Sequence, residues 1–172
     1  MALTLYDAAT PIFARGLNSL SGLIDTAVGH GVDEAAIMEA RLAPDMRPFP
    51  SQIQMASDAA KGAVARLTGV AAPSMPDEEA SFAELKDRIG RTLAFIESVD
   101  RSAFDGAETR DVVVKVPGHE LRFHGQGYLT SFAIPNFYFH VSMAYALLRQ
   151  AGVPLGKQNF LGRIEMIGGP LG

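Results

Sequence analysis

Between Arg122 and Arg149 the chain carries no Asp, Glu, Lys or Arg. A stretch that long without charge must either cross a membrane or lie buried among other elements. Its polar residues decide between the two. Gln126, Ser131, Asn136, His140 and Ser142 are spread through it, together with Pro135, and side chains of this kind are costly in lipid. The expectation is therefore a buried helix in a helical domain, with no membrane association. That helix is predicted over about Ser131 to Ala151 and is closed by Gly152. Phe132, Ile134, Phe137, Phe139, Val141, Met143, Ala144, Leu147 and Leu148 leave it no polar face. Such a helix is either central to its fold or half of an oligomer interface. Pro135 is expected to bend its first turns.

The rest of the chain can supply the burial this helix needs. It has 172 residues, 48% apolar and 20% charged, the balance of one globular domain. The absence of cysteine excludes disulfides, thiolate zinc sites, iron–sulfur clusters and a cysteine nucleophile. Fifteen basic against nineteen acidic side chains give a net charge of −4. Nucleic-acid binding, which needs phosphate-neutralising cations in excess, is not expected. Asp7 interrupts the apolar N-terminal residues and no basic segment precedes it, so no signal peptide is expected and the cytoplasm is the expected location.

Three further long helices follow from periodicity. The first is predicted from Leu5 to Val28, with Leu5, Ala9, Ile12, Phe13, Leu17, Leu20, Ile24 and Ala27 spaced by three and four. Pro11 lies inside this pattern, so either Thr10 caps a helix beginning there or an earlier turn is kinked. A short helix over about Asp33 to Ala40 leads into the proline-rich stretch RLAPDMRPFP. The second long helix is predicted from Ser51 to Gly69, with a stripe so rich in alanine that another helix can approach closely. Ser81 and Glu84 form an S-x-x-E capping box for the third, which ends near Asp100. Two alternating runs, Val112 to Val116 and Glu120 to His124, flank Pro117-Gly118 and predict a hairpin with a type II turn. The glycine-rich tail after Val153 is expected to wrap the surface.

The obvious chemical motifs fail on inspection. GQGYLT at Gly125 lacks the third glycine of a dinucleotide loop and follows a hairpin strand. GVPLGK at Gly152 has one residue too few between its glycines for a phosphate loop. His119 and His124 fall on opposite faces of one strand and cannot share a metal. No nucleophile elbow, metalloprotease helix or paired acidic motif occurs. Asp58 is expected to face solvent beside Lys61.

His140 is different, because it lies in the middle of the most apolar helix, one turn after Asn136. A buried imidazole and carboxamide both need hydrogen-bond partners. They either satisfy each other and the backbone inside the core, or line a polar pocket with His140 as ligand or general base.

The segment NFYFHVSMAYALLRQAGVPLGKQNFLG, with RLAPDM-x-PF-x-SQIQ-x-A-x-D-x-AKGA before it, resembles a bacterial family of uncharacterised proteins in the DinB/YfiT-like superfamily of metal-dependent enzymes. The resemblance implies a mainly α fold, an up-down-down-up four-helix bundle, here with a small β-hairpin before the last long helix, and often a dimer. It implies a metal held by three histidines, one from the second long helix and two from an H-x-x-x-H on the fourth. Some members are thiol-dependent transferases or isomerases. Carried onto this chain, His140 takes the second position of H-x-x-x-H and Asn136 the first. The second long helix offers Gln52, Gln54, Met55 and Asp58, and no histidine. Carboxamides are weak ligands for zinc or nickel, so no metal site is expected and no cofactor is identified.

Three readings follow. In the first, a polar pocket of His140, Asn136, Gln52 and Asp58, with Asp45 at its mouth, binds a small-molecule ligand. The second is a thiol-dependent transferase or isomerase, or a metal-dependent hydrolase, with a degenerate site. The third is a non-catalytic homodimer formed through the fourth long helix.

Overall fold

The computed structural model describes residues 3–164. Helix α1 spans Leu5–His30 and is opened by a capping box: Thr4 Oγ1 accepts from the Asp7 amide, and the Asp7 carboxylate accepts from the Thr4 amide. This pair starts the helix ahead of Pro11, so Thr10 caps nothing and is buried inside the helix. Gly31, at φ 72°, ends it in the left-handed conformation. Helix α2, Glu34–Glu39, is capped by Asp33. Helix α3 begins at Phe49, earlier than the periodicity suggested, because Pro50 is tolerated in a first turn; it runs to Thr68. Helix α4, Phe82–Ser98, is capped by Ser81, whose Oγ accepts from the Glu84 amide. In return the Glu84 carboxylate accepts from the Ala80 amide, one residue before the cap.

Strands β1, Asp111–Val116, and β2, His119–His124, form an antiparallel hairpin in the register Val116↔His119 to Asp111↔His124. Gly118 at φ 78° supplies the left-handed third position of the turn. Val112 and Val114 turn inward onto the helices, with Phe123 packed beside them.

No loop separates the hairpin from the helix that follows. Helix α5, Gly125–Tyr128, starts on the residue after β2, passes through a π-helical segment, Leu129–Ala133, and continues as α6, Ile134–Gln150. The helical path thus begins well before the expected Ser131. Two facts account for it. A Cβ on residue 125 would lie 1.9 Å from the Ala107 carbonyl oxygen, so only glycine lets β2 turn directly into helix here. Pro135 can donate no amide hydrogen, and the wider π turn before it absorbs the defect without a break. The glycines of GQGYLT therefore serve a close backbone approach.

The four long helices α1, α3, α4 and α6 share one core. Ala56, Ala60 and Ala63 of α3 are fully buried, and α3 packs most extensively on α6. Phe13 meets Phe137 edge to face with ring centroids 5.1 Å apart. After α6, Val153 and Leu155 are buried, and helix α7, Lys157–Leu161, lies on α1 with Phe160 against Tyr138 and Tyr145. The remainder of the glycine-rich tail lies outside the described residues. Among the described residues no helix is long and apolar enough to cross a membrane.

Candidate functional site

Helix α3 presents two polar edges. Positions 54 and 58 are one turn apart and share a face, whereas position 52 points elsewhere. Gln52 is turned toward α6 and meets His140; Gln54 and Asp58 are turned toward α4.

Gln52 and His140 are both buried, at 2% and 9% exposure. His140 Nδ1 lies 2.9 Å from Gln52 Oε1. The other end of the same amide, Gln52 Nε2, donates to the Arg47 carbonyl at 2.9 Å. That second bond fixes the roles. A backbone carbonyl can only accept, so Nε2 is the end that meets it and Oε1 is the end that meets the imidazole. His140 Nδ1 must then carry the ring proton. Burial pushes the His140 pKa down, so at neutral pH the ring is uncharged and Nε2 holds a lone pair. Nε2 has no hydrogen-bond partner among the described residues.

Arg47 belongs to the turn between α2 and α3, which a bond from Arg41 to the Met46 carbonyl braces at 2.9 Å. Asp45, in the same turn, is exposed and does not join the pair. Asn136 is half-buried one turn before His140, and its side chain makes no hydrogen bond among the described residues. Phe139, 51% exposed, sets its ring edge-on to the imidazole at 5.2 Å. Of the residues singled out from the sequence, the structure joins His140 and Gln52. His140 does not line the clefts found along α1 and the hairpin.

Asp58 belongs to a second cluster. It faces solvent beside Lys61 at 2.8 Å, as expected, and it also accepts from Arg88 at 2.8 Å. Arg88 of α4 is fully buried. Its guanidinium also pairs with Asp77 and Glu79 and donates to the Pro76 carbonyl. Gln54 Nε2 adds a bond to Glu79 at 2.9 Å. Burial pushes the Glu79 carboxyl up, but the bonds from Gln54 and Arg88 outweigh it and the net direction is down. This cluster holds the loop before α4 against α3. Sequence reasoning missed Arg88. The available signal was its position on the inward stripe, between Leu85 and Thr92, after the acidic run at Asp77 to Glu79.

A metal of the kind the resemblance implies does not fit the residues present. His140 is the one imidazole at the site, its Nδ1 is committed to Gln52, and Gln52 Oε1 is committed in return. The other matching position holds the carboxamide of Asn136. Among the described residues no three His, Cys, Asp or Glu side chains converge on a point where an ion could sit.

Residues 5–161 match DUF1993, a family described as a domain of unknown function. The crystal structure of a DinB family member protein from Shewanella denitrificans superposes with a TM-score of 0.87 at 35% sequence identity, covering 96% of each chain. Comparison with curated proteins finds no match.

Proposed function

The chain belongs to the DUF1993 family of DinB-like proteins, and from that premise we propose that it binds a small organic molecule at His140 in place of a metal ion. The long helices form a bundle of the up-down-down-up type, and the ligand approaches the end where the turn before α3 meets α6. His140 Nε2 accepts a hydrogen bond from an N–H or O–H of the ligand. The exposed ring of Phe139 gives the ligand an apolar flank.

One observation carries this reading. The chain of bonds from the Arg47 carbonyl through Gln52 to His140 Nδ1 leaves the imidazole Nε2 as the one polar atom of the two side chains without a hydrogen bond among the described residues. A carboxamide that sets the tautomer of a neutral imidazole prepares it to accept a proton or a hydrogen bond.

Long-range proton–nitrogen NMR on protein labelled at histidine nitrogen tests the reading. The expected spectrum shows His140 protonated on Nδ1, unchanged by equimolar zinc or nickel. Phenol, an aromatic O–H donor, is expected to move the Nε2 resonance saturably. Stoichiometric metal in protein purified without chelator, or a proton on Nε2, would overturn the proposal, as would an Nε2 resonance indifferent to phenol.

A further inference from the structure

A groove of about 780 Å³ runs between the outward face of α1 and the α7 segment, a volume ordinary for small-molecule sites. His140 does not line it. Along α1 its floor follows Asp7, Pro11, Arg15, Asn18 and Gly22, one helix stripe in which proline and glycine leave room between longer side chains.

The charge in the groove is unbalanced. At one end the Asp7 carboxylate is occupied by Arg101 at 2.7 Å and by Thr4. Bonds from Thr4, together with Arg101, hold it below the usual carboxylate range. Its charge is therefore answered outside the groove. Two arginines, Arg15 and Arg163, also line the groove, and neither makes an ion pair among the described residues. Two unpaired cations beside one groove are out of keeping with a chain of net charge −4.

The donors there are set in place. Arg15 is braced on the rim by a bond from its Nη2 to the Tyr138 hydroxyl at 3.3 Å, and its other guanidinium hydrogens make no bond among the described residues. Asn159 accepts from the Gly156 amide through Oδ1 at 2.8 Å, so its NH2 end is left to donate. Ser19, on the groove wall, is 5% exposed, and its Oγ is buried without a hydrogen-bond partner among the described residues. This hydroxyl is sealed from the groove and serves it only as packed wall. Gly162, at φ 64°, brings the α7 segment close over it: a Cβ there would lie 2.5 Å from Ser19 Oγ.

We propose that the groove between α1 and α7 is a binding site for a small organic anion, whose carboxylate or phosphate is held by Arg15 and Arg163 with Asn159 as a further donor. Guanidinium groups match the geometry of both oxyanions. The proposal is independent of His140.

Titration of the full-length protein with inorganic phosphate and, separately, with citrate tests it, followed by amide NMR, with potassium chloride at matched ionic strength as control. The expected result is a saturable shift of the Ser19, Asn159 and Gly162 amides with one or both anions and not with chloride. The anion that binds more tightly identifies the headgroup. Arg15→Met and Arg163→Met, both at exposed positions, are each expected to weaken binding by about tenfold, the size of a lost charged hydrogen bond. His140→Ala should leave it unchanged. Shifts equal to those of chloride, no saturation with either anion, or full affinity in both arginine variants would overturn the proposal.

Discussion

Gly16 of α1 faces the ring of Phe137 on α6 so closely that a Cβ at position 16 would lie 2.4 Å from the ring carbon Cε1. The missing side chain sets the spacing of these two helices. Phe137 is fully buried and cannot swing out. Gly16→Ala is therefore expected to destabilise the protein by about 1–3 kcal/mol, the usual cost of overpacking, despite the gain in helix propensity. Urea denaturation measures it, and a neutral or stabilising result would mean that α1 and α6 can move apart freely.

The pair at His140 makes stability depend on pH in a stated direction. The unfolded chain takes up a proton at this histidine near pH 6.5, while burial holds the folded-state pKa below that value. Over that interval the unfolded state binds more protons, so stability falls as pH drops from about 6.5. Glu79 acts the same way lower down: its folded pKa is depressed, and its contribution is lost as pH falls through the carboxylate range. Chemical denaturation across pH 4 to 7, roughly the span between the two groups' ordinary values, is expected to show the upper slope reduced in His140→Gln. An unchanged slope there would place the titration on another group.

Removing Arg88 should be among the most damaging single changes. Glu79, whose side chain is 6% exposed, would lose its cation. Breaking a buried pair from one side costs about 3–5 kcal/mol. Arg88→Met is expected to lose that much in a denaturant melt, and adding Glu79→Gln should restore a good part of it. If the double variant is no better than the single one, the cost lies in packing and not in the stranded charge.

Among the described residues, Gln52 is the α3 side chain that hydrogen-bonds His140. The three-histidine pattern implied by the sequence resemblance suggests a test in the double variant Gln52→His with Asn136→His, which would place imidazoles at positions 52, 136 and 140. Isothermal titration should show about one zinc or nickel ion bound per chain of the double variant, the stoichiometry of a three-histidine site. Failure to bind in a folded variant would mean that these positions do not converge as the family pattern requires.

Helices defined by a long apolar period were legible in the sequence: α1, α3, α4 and α6 all stand within a few residues of their expected places. So was the hairpin, whose Pro117-Gly118 turn is local chemistry. What escaped was set by contacts between distant residues. Nothing near Gly125 announces that Ala107 will lie against it, and so the start of the helix after β2 was misplaced. Gln52 and Asp58 look alike as polar residues on α3, but they point to different neighbours, and only the arrangement of α4 and α6 separates a partner for His140 from a partner for Arg88. The groove over α1 was illegible for the same reason: Arg15 and Arg163 sit at opposite ends of the chain.

The uninterrupted passage from β2 into α5 and on to α6 has a mechanical result. With Gly125 wedged against Ala107 and no linker after it, the hairpin has no hinge of its own. On the β2 side, the tip at Pro117 and the helix that carries His140 are parts of one continuous element with no loop between them.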